Sequence, residues 1–92
     1  MKTITIVGLG YVGLPVACLC AIHNYKVFGA DIDKNKVELI ERGICPIKDE
    51  NLENQFKKVK SKIKATADIE EAVSQSDIII ICVPTPVDKK HI

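Results

Sequence analysis

Hydrophobic and polar positions divide the chain into short alternating strands and helices. The apolar runs at residues 4–7 and 77–83 are rich in β-branched side chains, a composition typical of parallel strands that are covered on both faces. Shorter runs at 26–30 and 63–66 predict two more strands, and the charged residues around 63–66 favour a position at the edge of a sheet. Helices are predicted between these strands, at about residues 11–23, 34–42, 51–60 and 68–75.

This order of elements predicts an α/β fold. The chain runs strand, helix, strand, two helices, strand, helix, strand, and right-handed crossovers between parallel strands arrange such a chain in the sheet order 3-2-1-4. A length of 92 residues gives room for one small domain. We therefore expect residues 1–92 to form part of a Rossmann-type, doubly wound parallel sheet that stops after its fourth strand.

Acidic residues mark where two of the helices begin. Asp33 precedes the second helix and Asp68 precedes the fourth, and both can accept hydrogen bonds from the free amides of a helix N-terminus. Glu71, three residues after Asp68, completes the pattern of a capping box. In the second helix, Val37, Ile40 and Ile44 are spaced to share one buried face, and Gly43 stands where a left-handed residue ends a helix.

A glycine-rich turn joins the first strand to the first helix. Gly8, Gly10 and Gly13 form a G-x-G-x-x-G pattern directly after the apolar run. In such a turn glycine permits the tight bend, the approach of a pyrophosphate to the backbone and close packing of the helix, and the helix N-terminus favours the phosphates. The pattern predicts dinucleotide binding; the alternative is that the glycines serve packing alone.

An acidic residue ends the second strand. Asp31 lies about twenty positions beyond the glycine turn, the spacing at which a carboxylate accepts hydrogen bonds from the adenosine ribose hydroxyls. The same carboxylate would repel a 2′-phosphate, so NAD is favoured over NADP as the cofactor. Lys34 and Lys36 lie close enough along the chain to weaken that preference.

The residues after the fourth strand are predicted to lie beside the same site. In the order 3-2-1-4 the fourth strand neighbours the first, and ligands of such sheets bind beyond the carboxyl ends of the strands at this point. Val83, Pro84 and Thr85 are therefore candidate cofactor-binding residues, with the Thr85 hydroxyl facing the cofactor and Pro84 and Pro86 holding the backbone extended. The alternative is a rigid exit loop that touches no ligand.

Composition argues against several other functions. The formal net charge is +1, and there are two Tyr, two Phe and no Trp, which gives no reason to expect nucleic acid or a membrane surface as a partner. The uncharged stretch from Thr3 to Ile22 is long enough for a signal peptide or a membrane span, but its glycines and Pro15 favour a buried strand followed by a buried helix.

The cysteines and a group of lysines have simple expected roles. The cysteines show no paired C-x-x-C spacing, so neither a zinc site nor a redox dithiol is predicted, and we expect small apolar core residues of a reduced, cytoplasmic protein without a metal. The lysines from 57 to 64 are expected to form a solvated face, with an anion site as the alternative. The cysteines are Cys18, Cys20, Cys45 and Cys82, and the lysines are numbers 57, 58, 60, 62 and 64.

Three segments together resemble a known protein family. Residues 8–15 read Gly-Leu-Gly-Tyr-Val-Gly-Leu-Pro, Asp31-Ile32-Asp33 is followed by Lys36, and residues 76–86 combine an apolar strand with Val-Pro-Thr-Pro. In this combination the chain resembles, over essentially its whole length, the N-terminal NAD-binding domain of the UDP-glucose/GDP-mannose dehydrogenases, which are nucleotide-sugar 6-dehydrogenases. The form of its glycine turn is most similar to the branch that acts on UDP-N-acetylmannosamine or UDP-N-acetylglucosamine.

The resemblance implies an activity and a set of contacts. Enzymes of this family oxidise the C6 alcohol of a nucleotide sugar to a carboxylate with two NAD⁺ in succession, which implies a cytoplasmic oxidoreductase of polysaccharide biosynthesis. The resemblance also implies that the backbone at Tyr11 and Val12 holds the pyrophosphate, that Asp31 and Lys36 hold the adenosine ribose, and that Thr85 touches the cofactor.

Part of the family pattern lies outside this chain. The resemblance places the catalytic cysteine, the catalytic lysine and the sugar-binding domain in sequence beyond Ile92. We therefore expect the N-terminal fragment of a longer enzyme, which binds NAD without turning over a UDP-sugar and carries no catalytic residue; Cys82, inside an apolar strand, would be an inert thiol. Pro46 and Glu50 match a Pro-x-x-x-Glu stretch in the loop that reaches towards the cofactor cleft of the family.

Two other functions and one mode of assembly stay open. A stand-alone NAD(H)-sensing regulatory module would use the same turn without a reaction. Another NAD-dependent dehydrogenase would share a similar first half, although residues 83–86 disfavour it. The open side of the fourth strand leaves backbone groups unpaired, which favours association with a second copy and hence a homo-oligomer.

Overall fold

Four parallel strands form one sheet in the order β3-β2-β1-β4. The computed structural model describes residues 2–82, and its strands are β1 (Thr3–Val7), β2 (Lys26–Ala30), β3 (Ile63–Thr66) and β4 (Ile78–Ile81). The helices are α1 (Gly13–Ile22), α2 (Lys34–Glu41), α3 (Glu50–Val59) and α4 (Ile69–Ser74), and a 3-10 turn at Lys60–Lys62 leads into β3. The parallel pairing and the strand order confirm the predicted Rossmann-type α/β sheet.

β1 occupies the centre of the sheet and is buried on both faces. Ile4 and Ile6 belong to the main hydrophobic core. Thr5 points to the opposite face, because successive side chains of a strand alternate, and its buried hydroxyl donates to the carbonyl oxygen of Ala72 in α4 at 3.1 Å. Helices therefore cover both faces of β1, which explains its lack of charged residues.

Aspartate side chains cap the starts of three helices. Asp33 accepts hydrogen bonds from two amides in the first turn of α2, and Asp68 accepts one from the amide of Glu71 at 3.0 Å, as predicted. The reverse bond of the capping box is replaced, because the amide of Asp68 donates to the Thr66 hydroxyl at 3.0 Å. Asp49 caps α3 in the same way, although the sequence analysis had not assigned it that role.

β4 is more exposed than its sequence predicts. Ile78, Ile79 and Ile81 are 40%, 43% and 68% exposed, whereas a strand covered on both faces was expected. The cause is position: β4 pairs with β1 on one side only, and it is an edge strand of the sheet formed by residues 2–82. The predicted burial of this strand is therefore wrong for the part of the chain that the structure describes.

The second helix ends close to its predicted boundary, but one of its predicted inward residues is exposed. α2 ends at Glu41, and Gly43 adopts a left-handed conformation with φ of 79°, which ends the helical repeat. Ile40 is buried as predicted, but Ile44 is 45% exposed. The predicted burial of Ile44 is thus wrong, because the chain turns between the two isoleucines.

The long uncharged N-terminal stretch forms β1, the glycine turn and α1, so the predicted strand and helix are confirmed. Within residues 2–82, no helix combines the length and the apolar character that a membrane crossing requires. Cys18, on α1, is buried in the core. Burial, with a smaller contribution from Cys45, raises the pKa of the Cys18 thiol to about 11, so this thiol is protonated and unreactive near neutral pH.

Candidate cofactor site

A cavity of about 390 Å³ opens at the carboxyl ends of β1 and β2. This is the end of a parallel α/β sheet at which ligands bind. Residues of the glycine turn, the tip of β2 and the first turns of α2 and α4 line it. They are Val7, Gly8, Leu9, Gly10, Asp31, Ile32, Lys36 and Ile69.

The glycine turn needs each of its glycines for a different reason. Gly8 has a φ of 98°, a conformation that L side chains rarely adopt. A Cβ atom on Gly13 would lie 1.6 Å from the Gly8 carbonyl oxygen, so α1 can pack against the turn only if this residue is glycine. Gly10 has no atom within 4 Å of the position of its Cβ. Packing inside residues 2–82 therefore does not explain Gly10, and its open face suits the approach of a ligand.

Leu9 anchors the turn to the neighbouring strand. Its side chain is completely buried, and it fills the space that a Cβ on Gly29 would need, since two Leu9 methyl carbons lie 2.9 Å from that position. A glycine in β2 thus makes room for a leucine of the turn. Sequence reasoning had assigned no role to either residue, because their contact joins two separate elements.

The start of α1 has no side-chain cap among residues 2–82. Val12 is the residue before the first turn, and no described side chain caps the helix there, although the amide of Leu14 donates to the carbonyl oxygen of Gly10 at 3.1 Å. The side chains of Tyr11 and Val12 are 82% and 64% exposed, so neither covers the backbone as a core residue would. Uncapped amides and the positive end of the helix dipole together form an anion-binding environment.

Asp31 links the tip of β2 to the glycine turn. Its Oδ2 accepts a hydrogen bond from the amide of Leu9 at 2.8 Å, and its Oδ1 accepts one from the amide of Asp33 at 2.9 Å. The Nζ of Lys36 lies 3.7 Å from Oδ2. The two strand tips that were inferred from sequence spacing are therefore in direct contact.

These contacts also set the charge state of Asp31. Partial burial by itself would raise the pKa of the carboxyl, but hydrogen bonds from the amides of Asp33 and Leu9, together with the charge of Lys36, hold that pKa below its ordinary value. Asp31 is consequently a carboxylate at neutral pH, which is the form that accepts hydrogen bonds from hydroxyls.

The cavity has the chemistry that an adenine dinucleotide requires. A carboxylate can accept about four hydrogen bonds, and amides within residues 2–82 use two of these positions at Asp31, which leaves capacity for ribose hydroxyls. Ile32, 82% exposed, and Ile69 add apolar lining, which suits the flat face of a base. The part played by Ile69 gave no sequence signal, because α4 brings it to the cavity from elsewhere in the chain.

Some predicted site residues lie away from this lining. Tyr11 and Val12 belong to the turn but do not line the cavity. Glu50 is an exposed residue in the first turn of α3, and Pro46 precedes that helix. Neither of these two residues is among the described residues of the cavity wall, so their role stays a prediction from the family resemblance.

Of the residues that follow β4, the structure describes Cys82. Val83, Pro84 and Thr85 lie outside the described residues, so their contacts with a cofactor stay predictions. Cys82 follows β4 and is partly buried against the core. Its Cβ lies 3.3 Å from the position of a Cβ on Gly13, which places Cys82 next to the glycine turn.

Comparison with known sequences gives one consistent result. The model of the UDP-glucose/GDP-mannose dehydrogenase family, NAD binding domain, matches residues 2–92. The UDP-N-acetyl-D-mannosamine dehydrogenase of Methanococcus maripaludis is 37% identical over 87 residues, which cover 94% of this chain and 20% of the relative. The UDP-glucose 6-dehydrogenase of Campylobacter jejuni is 42% identical over 88 residues, which cover 95% of this chain and 22% of the relative.

The fold is shared with solved structures of the same kind. A ternary complex of GDP-mannose dehydrogenase from Pseudomonas aeruginosa matches with a TM-score of 0.86 and 36% identity, over 97% of this chain and 21% of the other. The chain thus spans about a fifth of the length of the Methanococcus maripaludis and Campylobacter jejuni dehydrogenases.

Proposed function

Because this chain belongs to the UDP-glucose/GDP-mannose dehydrogenase family and matches its NAD-binding domain, we propose that it is the N-terminal part of a nucleotide-sugar dehydrogenase. The cofactor of this domain is NAD. In the proposed whole enzyme, the C6 alcohol of a UDP-sugar is oxidised to a carboxylate, and two NAD⁺ accept the electrons as hydride. Residues 1–92 form the domain that binds the cofactor and do not turn over the sugar by themselves.

One observation carries the proposal that NAD binds in the described cavity. The Asp31 carboxylate, the amide of Leu9 and the open face of Gly10 meet at the ends of two neighbouring strands. A carboxylate beside glycine amides can hold ribose hydroxyls on one side and a pyrophosphate on the other. The proposed cofactor-binding residues are Gly8, Gly10, Tyr11, Val12, Gly13, Asp31, Lys36, Val83, Pro84 and Thr85.

Each described group has a definite task in this proposal. NAD⁺, when bound, supplies the acceptor for hydride. Asp31 accepts hydrogen bonds from the adenosine ribose and disfavours a 2′-phosphate by charge repulsion, while Lys36 stays close enough to bind a ribose oxygen. The backbone of Tyr11 and Val12 donates to the pyrophosphate at the start of α1.

The substrate of the whole enzyme is proposed from the relatives. The relatives with matching sequence act, by their names, on UDP-N-acetyl-D-mannosamine, UDP-glucose or GDP-mannose. The Gly-Leu-Gly-Tyr-Val-Gly-Leu-Pro form of the glycine turn supports UDP-N-acetylmannosamine. The corresponding role is in polysaccharide biosynthesis, and the four free cysteines support a reducing, cytoplasmic location.

We also propose that the chain associates with itself, giving a homo-oligomer. Among residues 2–82, the outer edge of β4 pairs with no other strand, and its isoleucine side chains are exposed. Such an edge pairs readily with a strand of another molecule.

Calorimetric titration with NAD⁺, NADH and NADP⁺ tests the cofactor proposal. We expect NAD⁺ and NADH to bind. The affinity for NADP⁺ should be lower by at least about tenfold, because a repulsion of about 1.4 kcal/mol between Asp31 and the 2′-phosphate has that effect.

The variant Gly10→Ala should fold normally, since its Cβ meets no described atom. It should lose most of its NAD⁺ affinity, because the methyl group occupies the approach of the pyrophosphate.

Two results would count against this proposal. Unchanged NAD⁺ affinity in Gly10→Ala, with an unaltered circular dichroism spectrum, would show that the dinucleotide lies elsewhere. Growth of NADH absorbance when residues 1–92 are mixed with NAD⁺ and a UDP-sugar would show that this part of the enzyme is active alone.

A further inference from the structure

A second cavity lies at the opposite end of the sheet from the cofactor site. It has a volume of about 290 Å³ and is formed where β2 and β3 begin. All the strands run parallel, so the length of β2, roughly 3.3 Å for each residue, separates this cavity from Asp31. Its wall includes Asn24, Tyr25, Lys26, Ser61, Lys62 and Lys64. We call it the lysine cleft.

Two lysines of the cleft lie on adjacent strands, and the third ends the 3-10 turn that leads into β3. Lys64 pairs with Phe28 across β2 and β3, and Lys26 precedes Phe28 by two residues, so both lysines lie on the same face of the sheet as that phenylalanine. The Lys26 ammonium is 5.5 Å from the centre of the Phe28 ring. Lys62 directly precedes Ile63, whose partner across the sheet is Val27, and it therefore stands beside Lys26.

No described acid forms an ion pair with these lysines, and Glu41 and Glu71 line a neighbouring cavity together with Lys64. The ion pair found among residues 2–82 joins Lys36 to Asp31 at the other end of β2, and the wall of the cleft contains no Asp or Glu. Like charges at neighbouring cross-strand positions repel each other and destabilise a sheet. The net charge of the whole chain is only +1, so this cluster is a local concentration of positive charge. An anion bound between the ammonium groups would remove the repulsion.

The rim of the cleft is fixed by the end of α1. Asn24 has a φ of 68°, and the amides of Asn24 and Tyr25 donate to the carbonyl oxygens of Ala21 and Cys20 at 3.0 and 3.1 Å, a pattern that closes a helix C-terminus. The Nζ of Lys62 donates to the Asn24 side-chain oxygen at 3.2 Å. The cleft is therefore preorganised, and Tyr25, 36% exposed, supplies an aromatic wall.

We propose that the lysine cleft binds a polyphosphate anion. Three lysine side chains line one small cavity, and an anion that contacts all three needs several closely spaced negative charges, a geometry that phosphate chains have. The volume suits a diphosphate or triphosphate group or one mononucleotide, since pockets for larger ligands span about 300–1,000 Å³. The ligand is inorganic polyphosphate or the phosphate chain of a nucleotide whose base packs on Tyr25.

The test measures binding by amide chemical shifts in the full chain at physiological salt. Inorganic pyrophosphate and ATP are the probes, with adenosine as the uncharged comparison. We expect both anions to shift the amides of residues 24–26 and 62–64 in a saturable way. Lys26→Gln combined with Lys64→Gln should weaken binding of both by about tenfold or more, as expected when charge-assisted hydrogen bonds are removed.

A matched variant separates this site from general positive charge. Lys57→Gln combined with Lys58→Gln removes the same charge from exposed lysines of α3 that do not line the cleft, and it should change affinity by about twofold or less, as long-range contributions between exposed charges are small at this salt concentration. Equal loss in the two double variants would overturn the proposal, as would shifts that never saturate.

The probes also identify the ligand and keep the two sites distinct. If ATP binds more tightly than pyrophosphate, and if Tyr25→Leu removes that difference, the ligand is a nucleotide. Equal affinity for ATP and pyrophosphate identifies an inorganic anion as the ligand. Either result supports the site. Shifts confined to residues 8–13 would contradict it. The Lys26 and Lys64 double variant should keep its NAD⁺ affinity, so a failure here leaves the cofactor proposal intact.

Discussion

At the scale of single residues, packing requires one glycine of the turn, whereas the space beside another is free of described protein atoms and can admit a ligand. Gly13 faces a carbonyl oxygen at a distance that excludes any side chain, whereas Gly10 faces no protein atom. Asp31 combines both kinds of role, since it holds the amide of Leu9 and keeps acceptor capacity for a hydroxyl. The sequence pattern indicates all three positions, but only the contacts separate packing from binding.

Asp31 gives a prediction for the dependence of stability on pH. Its folded-state pKa is lowered from 3.8, so its carboxylate stabilises the fold at pH values above about 3.8, and this stabilisation is lost as the pH falls through the folded-state pKa. Asp31→Asn should reduce the free energy of unfolding at neutral pH by about 1–2 kcal/mol. The difference from wild type should shrink in acid.

Urea unfolding measures this effect when it is carried out at a series of pH values, from neutral pH to below the folded-state pKa of Asp31. Glu38→Gln removes an exposed carboxylate of α2 and is the control, with an expected change within about 0.5 kcal/mol. A stability difference for Asp31→Asn that stays constant down to the lowest pH would show that the Asp31 charge does not stabilise the fold.

At the scale of elements, a buried polar contact between β1 and α4 holds this short helix against the sheet. The Thr5 hydroxyl bonds to the Ser76 hydroxyl and to the carbonyl oxygen of Ala72, and Thr5 is the buried polar residue of the described core. α4 is only six residues long, too short to be stable without tertiary contacts. This contact therefore helps to position Ile69, at the start of the same helix, against the cofactor cavity.

Thr5→Val tests the role of that contact. Valine keeps the shape and the strand propensity of threonine but removes the hydroxyl, so we expect a loss of about 1 kcal/mol in the free energy of unfolding and faster hydrogen exchange of the amides in α4. Thr5→Ser keeps the hydroxyl and should preserve the protection of α4 relative to the rest of the chain. Equal protection of α4 in the valine variant and in wild type would contradict this account.

At the scale of the whole molecule, the two ends of the sheet differ in charge, and β4 is an edge strand among residues 2–82. Asp31 and the glycine turn lie at the carboxyl ends of the strands, and the lysine cleft lies at their amino ends. The exposed isoleucines of β4 lie along the edge between these ends. The proposed ligands and the proposed second copy therefore use separate surfaces.

Self-association through β4 is tested by placing charge on its open edge. Ile79→Lys combined with Ile81→Lys should lower the average mass measured by light scattering across a range of concentrations, because buried lysines are unfavourable in a strand interface. Ile44→Lys changes an equally accessible isoleucine away from β4 and should leave the mass unchanged. A wild-type chain that is monomeric at every concentration would refute the proposed homo-oligomer.

The sequence by itself determined the strand order, the glycine turn and the acidic tip of β2. These features follow from local hydrophobic patterns, from the backbone requirements of glycine and from the handedness of parallel crossovers, each of which acts within one or two neighbouring elements. The family resemblance rested on the same segments and was confirmed by the match over residues 2–92.

Only the tertiary structure decided which side chains meet across elements. The contact between Leu9 and Gly29, the Thr5 contact with α4, the place of Ile69 in the cavity and the gathering of Lys26, Lys62 and Lys64 all join distant parts of the chain. The exposure of β4 likewise depends on what packs beside it, and its apolar sequence alone predicted the wrong burial. Burial and long-range contact are properties of the assembled sheet, because they depend on which segments become neighbours after folding.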